Sequence, residues 1–327
     1  MRSVWTALVL SAACVAAAGA AQPDDAASTY PRKPIRWIID FPAGGLSDVL
    51  ARSVSPKLQE SLGQPIVTDP RPGAGGLLAY GLAARSAPDG YTLAFISAPF
   101  TVNLNLYDKL PYDTFKDFVP VASIATTHNV LLTSPKLPVK TVSELIAYAK
   151  TKPAGLNFGS VGVGSSPHLT GELFKARSGV NATHVPFQGS GPALTDLMAA
   201  RLDFMFVNYP SAFPHIKSGR VNMIATAGPK RLHAFPEVPT LIESGFPGFR
   251  SVGWFGVAAP GATPKPITAK LNATITRIVK LDDVRERLDT LGVEPAPMTQ
   301  DEFRAFLIDE TKRWEKVIKD SGAKASS

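Results

Sequence analysis

The chain has 327 residues, 45% of them hydrophobic and 19% charged, with a formal net charge of +7. This is ordinary globular composition with room for about two domains, each with its own core. Beyond the N-terminus no stretch approaches the ~20 continuous apolar residues that cross a bilayer, and lysine and arginine are too scattered for a nucleic-acid surface.

The first element is a leader. Arg2 is followed by an apolar run over 4–15, then by the small-x-small pattern Ala18-Gly19-Ala20. Residues 1–21 read as a secretory signal peptide, to be set aside from the fold. A lipoprotein reading through Cys14 lacks the aliphatic residue three positions before, where Ser11 stands. Cys14 is the single cysteine, so the mature chain is expected to have no disulfide and no cysteine-ligated metal. A large exported protein of that kind fits a bacterial periplasm.

After the leader, strand-like and helix-like stretches alternate. A strand is expected over 35–41, a helix over 47–62, a strand over 65–68, a helix over 75–87 and a strand over 91–96. Strands over 121–125 and 129–132 surround a crossover, and a helix over 142–150 opens on Thr141 with Glu144 placed for a capping box. A strand at 156–160, a helix at 168–178, a strand at 183–186, a helix at 192–200 and strands at 203–207 and 221–225 follow. After Gly228 the chain is irregular up to an apolar strand over 252–257. Two helices then close it, near 267–280 and 300–320. The last carries Phe303, Phe306, Leu307, Trp314 and Ile318 at helical spacing, a stripe for packing against one lobe. This β-α rhythm argues for mostly parallel sheets flanked by helices, with no internal repeat.

The chemistry concentrates in two glycine-rich segments that each follow an apolar run and open a helix. The first is Phe41-Pro42-Ala43-Gly44-Gly45-Leu46-Ser47-Asp48; the second ends in Gly162-Val163-Gly164-Ser165-Ser166-Pro167-His168. Each leaves backbone N–H groups at a helix N-terminus, where the macrodipole favours an anion without help from arginine. Ligands of open α/β sheets bind beyond the carboxyl ends of the strands. Ser97, the segment Gln188-Gly189-Ser190-Gly191 and Asn208 stand at such ends too, and Phe41 and Phe187 offer apolar walls. An anion between two lobes that each carry one loop draws the lobes together. Amide donation is assigned to Gly44, Gly45, Leu46, Ser165 and Ser166, and polar contacts to Ser47, Asp48 and His168.

Other chemistries fit less well. Pro167 occupies the place of a third dinucleotide-binding glycine, and no Gly-Lys-Ser/Thr follows either loop. The five histidines lack metal-ligand spacing, so no metal and no cofactor is expected. Ser165 or Ser166 beside His168 keeps a periplasmic hydrolase open as a second reading, although Gly-x-Ser-x-Gly is absent and no acid is placed to orient the imidazole.

Several segments occur in a specific order: Phe41-Pro42-Ala43-Gly44-Gly45, Arg71-Pro72-Gly73-Ala74-Gly75-Gly76, Ser165-Ser166-Pro167-His168, Val185-Pro186-Phe187-Gln188-Gly189, Ala225-Thr226-Ala227-Gly228 and Pro236-Glu237-Val238-Pro239-Thr240. Together they resemble the periplasmic solute-binding proteins of tripartite tricarboxylate transporters, the Bug receptor family, over residues 30–314. The resemblance implies an α/β Venus flytrap of two lobes joined by crossover strands, with residues 30–125 plus 226–327 as one lobe and 126–225 as the other. It implies a monomer that holds a small carboxylate on loop 41–48 and loop 164–168 and delivers it to the membrane permease subunits of a tripartite transporter. A receptor that reports its ligand to a signalling partner has the same features. Where family members commonly carry Tyr-Lys, this chain has Phe187-Gln188, which removes a phenol and a positive charge. Where Glu-Asn often precedes Arg-Pro-Gly, it has Asp69-Pro70.

Overall fold

The computed structural model describes residues 28–321; the leader expected over 1–21 lies outside them. The first half contains β1 (Ile35–Ile39), α1 (Leu46–Leu62), β2 (Ile66–Pro70), α2 (Leu77–Ala84), β3 (Thr92–Ser97) and α3 (Pro99–Leu106). The long β4 (Phe118–Thr133) leads into α4 (Val142–Lys150), β5 (Leu156–Ser160), α5 (Ser166–Ser178), β6 (Ala182–Pro186), α6 (Ser190–Met198), β7 (Phe204–Asn208), α7 (Tyr209–Lys217) and β8 (Asn222–Thr226). The chain then returns through β9 (Val252–Pro260), α8 (Lys265–Ile278), α9 (Asp282–Thr290), β10 (Glu294–Pro295) and α10 (Gln300–Ser321).

The strands run in the order β2-β1-β3-β9-β4-β7-β5-β6, with β8 and β10 also paired to β4. The β1–β3 group and the β5–β7 group are parallel within themselves, whereas β4 and β9 run antiparallel to their neighbours. β4 joins the halves. Its residues 118–128 pair with β9, while its end pairs with β7 from Asn129 and with β8 from Val130. The two strands expected over 121–125 and 129–132 are one, because Thr126, Thr127 and His128 keep the ladder to β9 unbroken between them.

Other departures have local causes. The helix expected over 75–87 begins later, after a 3₁₀ turn at Ala74–Gly76. Ala74 and Gly75 hold left-handed φ values of 46° and 58°, which no α-helix accepts. Helix α7 went unrecognised because Pro214 lies inside it, and α9 because Val284 and Leu288 are its only buried residues. At α4 the expected cap forms: Glu144 N–H donates to Thr141 Oγ1 at 3.2 Å. The Glu144 carboxylate accepts from Lys140 N–H at 2.7 Å, one residue before the capping-box position.

Each half has a core on both faces of its strands. Trp37, Phe95, Leu50 and Ile275 fill one face of the first half, and Ile38, Tyr80, Trp254 and Phe303 the other. In the second half, Phe158, Phe174, Phe204 and Phe206 oppose a cluster of Val130, Leu194, Met205 and Val207. Leu241, Phe246 and Phe249 lie in the segment that sequence reading joined to the first half, yet they pack in this second core. The β8-to-β9 connection therefore covers the second half before the chain crosses back. Helix α10 was expected against a single lobe. Its Phe303 and Leu307 do pack in the first half, but Trp314 and Ile318 share a cluster with Val102 and Leu106 of α3 and Leu169 of α5. At ~1.5 Å per residue the helix is long enough to brace both halves. Among the described residues no helix is long and apolar enough to cross a membrane.

Candidate functional site

The first loop turns from β1 into α1 by closing its own amides. Gly45 N–H donates to the Pro42 carbonyl at 3.0 Å and Gly44 N–H donates to Asp48 Oδ2 at 3.0 Å. Gly44 adopts φ 78°, a conformation that glycine reaches without strain. Asp48 is thus a staple for the turn, and Arg52 pairs with it from the next turn at 2.9 Å. The amides expected to face a ligand from Gly44 and Gly45 are therefore spent. Those of Leu46 and Ser47 open α1, where no carbonyl one turn back can accept them.

The second loop is held from behind by imidazoles. Ser165 caps α5: its Oγ accepts from His168 N–H at 3.3 Å and donates to the Gly162 carbonyl at 2.6 Å, while Ser165 N–H bonds the same carbonyl at 3.2 Å. His168 Nδ1 accepts from Gly164 N–H at 3.2 Å. The His168 ring stacks on His184 at 4.0 Å, and His184 in turn stacks on Phe158 at 4.8 Å and meets Ser160 Oγ at 2.7 Å. Burial pushes the His168 imidazole down to about 4, with Lys175 adding to the shift. The His184 ring is pushed lower still by burial, His168 and Lys175. Both are neutral supports. Pro167 has no N–H, so Ser166 supplies the one amide of this helix start that the turn does not use.

Between the halves lies a cavity of about 330 Å³, small among ligand pockets, which span roughly 300–1,000 Å³. Both helix starts reach it, Gly44–Ser47 from one side and Ser165–Pro167 from the other; β9 supplies a floor of Gly253, Trp254 and Phe255. No Lys, Arg, His, Asp or Glu side chain lines it. Of the residues singled out from sequence, Phe41, Pro42, Gly44, Gly45, Leu46, Ser47, Ser97, Ser165, Ser166, Gly189 and Asn208 line the cavity together. Asp48, Gly164 and His168 do not; they build the loops behind it. Phe187 lines an adjoining depression with Asp40 and the glycines of 73–76. Sequence alone does not point to the β9 floor, Ala98, Pro99, Val161, Pro192 or Ser211. For β9, the only available signal was its apolar run, which reads equally as core.

Two buried polar groups set the orientation of the lining side chains. Asp40, 1% exposed, directly follows β1; its Oδ2 accepts from the Tyr80 hydroxyl at 2.7 Å and from Ser97 Oγ at 2.6 Å, while Oδ1 has no hydrogen-bond partner within reach. Burial pushes this carboxyl above the usual carboxylate range. Asn129, fully buried where β4 changes partners, donates through Nδ2 to Ser166 Oγ and to Thr170 Oγ1 at 2.8 Å, and accepts from Asn208 Nδ2 at 2.9 Å. Among the described residues no group of three or more His, Cys, Asp or Glu side chains is placed to hold a metal.

A cleft between two α/β halves, closed by helix starts and spanned by shared strands, is the architecture of a two-lobed periplasmic binding protein. Solved structures of that form superpose closely. An adipate-bound protein from R. palustris does so with a TM-score of 0.86 at 35% identity, covering 90% of this chain and 98% of that one. Malate-bound MatC from Rhodopseudomonas palustris gives 0.82 at 35% identity, with 88% and 100% covered. Protein BugT of Bordetella pertussis is 40% identical over 312 residues, 95% of each chain. The family model for the tripartite tricarboxylate transporter family receptor matches residues 50–323, and the chain belongs to that family.

Proposed function

We propose that this chain is an exported, monomeric receptor that captures a small organic acid between its halves and delivers it to the permease of a tripartite transporter. One observation carries the reading. A cavity of about 330 Å³ is lined from opposite halves by two helix starts and by no charged side chain. A carboxylate there is met by backbone amides and aligned helix dipoles. The adipate and malate bound by the two solved relatives are consistent with it. The two halves act as lobes, the first built on residues 30–125 and the chain from β9 onward, the second on 126–225 with the 227–251 segment packed on its core. Ligand favours the closed arrangement because only there do both helix starts reach it. Residues 1–21 act as the export signal.

Catalysis has no support at the site. Ser165 Oγ is occupied by the Gly162 carbonyl and Ser166 Oγ by Asn129, whereas the His168 ring accepts from Gly164 N–H. Neither serine is paired with a base, as a nucleophile requires. The test is thermal unfolding of the mature protein against small carboxylates and their amides. An acid at 100 times its dissociation constant adds about 2.7 kcal/mol of stability. A rise in Tm for an acid, absent with its amide and without product formation, is the expected result. Turnover of an ester or amide overturns it.

A further inference from the structure

The direction of the hydrogen bonds behind the cavity wall says more about the ligand than the helix starts do. Resting on the carboxylate-receptor reading, we propose that the site selects acids that carry a hydrogen-bond donor, a hydroxyl or an ammonium, beside the carboxylate. Ser97 and Asn208 are the acceptors that select it.

Ser97 Oγ lies 2.6 Å from Asp40 Oδ2, which also takes the Tyr80 hydroxyl at 2.7 Å. Tyr80 Oη in turn accepts from Ser97 N–H at 3.4 Å, so the tyrosine proton belongs to Asp40. Two hydroxyls converge on one carboxyl oxygen, and each donates to it. With its proton given to Asp40, Ser97 offers the cavity only lone pairs.

Asn208 is fixed by a longer chain. Thr170 Oγ1 lies 2.7 Å from the Ser166 carbonyl and 2.6 Å from Ser251 Oγ, one of which takes its single proton, so toward Asn129 it accepts. That identifies the Asn129 atom 2.8 Å away as the amide nitrogen. Asn129 Oδ1 then accepts from Asn208 Nδ2 at 2.9 Å, which leaves Asn208 Oδ1 for the cavity. The same chain has Ser166 Oγ accepting from Asn129 Nδ2, so the Ser166 proton is available as a donor.

The wall therefore has two characters. The helix starts and the Ser166 hydroxyl donate, while Ser97 and Asn208 accept, on either side of the β9 floor. A carboxylate satisfies the first set. A ligand without any donor leaves the second set desolvated and unpaired, and a site built to hydrogen-bond a hydroxyl or amine rejects analogues that lack it.

The test uses pairs of acids matched in skeleton, titrated calorimetrically into protein freed of ligand by unfolding and refolding: succinate against malate and aspartate, adipate against 2-hydroxyadipate, propionate against lactate. In each pair that binds, the donor-bearing acid is expected to bind about tenfold tighter or more. Ser97→Ala and Asn208→Leu are expected to bring that ratio toward one. The ratio, unlike affinity alone, is not moved by a general loss of structure. If a variant fails to fold, the wild-type ratio still decides. A donor-free acid that binds as tightly as its partner overturns the assignment of acceptors. Binding of no acid from any pair overturns the carboxylate reading on which it rests.

Discussion

Replacing His168 by glutamine isolates one consequence of the imidazole stack behind the second loop. His168 is buried, its ring 4.0 Å from that of His184, and Nδ1 accepts from Gly164 N–H at 3.2 Å. The charged groups near it are Lys175 and Glu172, the latter 3.9 Å from Nε2. Burial lowers the imidazole from 6.5 in the unfolded chain to about 4 in the folded one. Below pH 6.5 the unfolded chain gains a proton that the folded chain refuses. The stability contributed by neutral His168 is therefore whole above that pH and is lost as pH falls toward 4. Over the interval from about pH 7.5 to about pH 5 the loss is about 2 kcal/mol. His184, His128 and His215 are lowered by burial and act in the same direction, whereas the raised carboxyl of Asp40 acts in the opposite one. The informative quantity is hence the difference between wild type and His168→Gln, whose side-chain oxygen can still accept from Gly164. Urea unfolding at the two pH values should show the variant losing about 2 kcal/mol less than wild type. Equal losses in the two proteins refute the buried neutral imidazole.

Two other perturbations test different parts of the molecule. A methyl group at Gly253 would lie 2.7 Å from Asn208 Nδ2 and 3.1 Å from Thr127 Cγ2. Gly253→Ala should displace Asn208 and weaken ligand binding by about tenfold with the far-ultraviolet circular dichroism unchanged; undiminished affinity in calorimetry contradicts this placement of Asn208. Trp314, 1% exposed, packs where α3, α5 and α10 meet and donates its indole N–H to Glu310 at 2.9 Å. Trp314→Ala should cost about 3–5 kcal/mol in denaturant unfolding, and a loss below about 1 kcal/mol is incompatible with a brace between the halves.

The alternation of strands and helices was legible because each signal is local. Apolar runs, helix starts and glycine turns announced β1, α1, β5 and α5, and with them both loops of the cleft. What could not be read was where amide protons go inside a turn. Gly44, Gly45 and Ser165 have the composition of anion-binding loops, but their N–H groups bond Asp48, Pro42 and Gly162. Following two serines in a helix's first turn, His168 has the sequence context of a ligand contact. The helix turns its ring inward, onto a histidine 16 positions later in the chain that only the β5–β6 pairing brings beside it. Asp40 and Asn129 carried no signal at all. A single polar residue in an apolar strand gains meaning only when partners 40 or more positions away in sequence, such as Tyr80, Ser97, Thr170 and Asn208, are seen around it.

The most direct test of the account is a crystal structure of the protein with the tightest-binding acid of the matched pairs. One carboxylate is predicted to lie between the starts of α1 and α5, within hydrogen-bond reach of the Leu46, Ser47 and Ser166 amides, with no arginine or lysine against it. A carboxylate held by a basic side chain, or bound outside the cleft lined by both helix starts, contradicts the account.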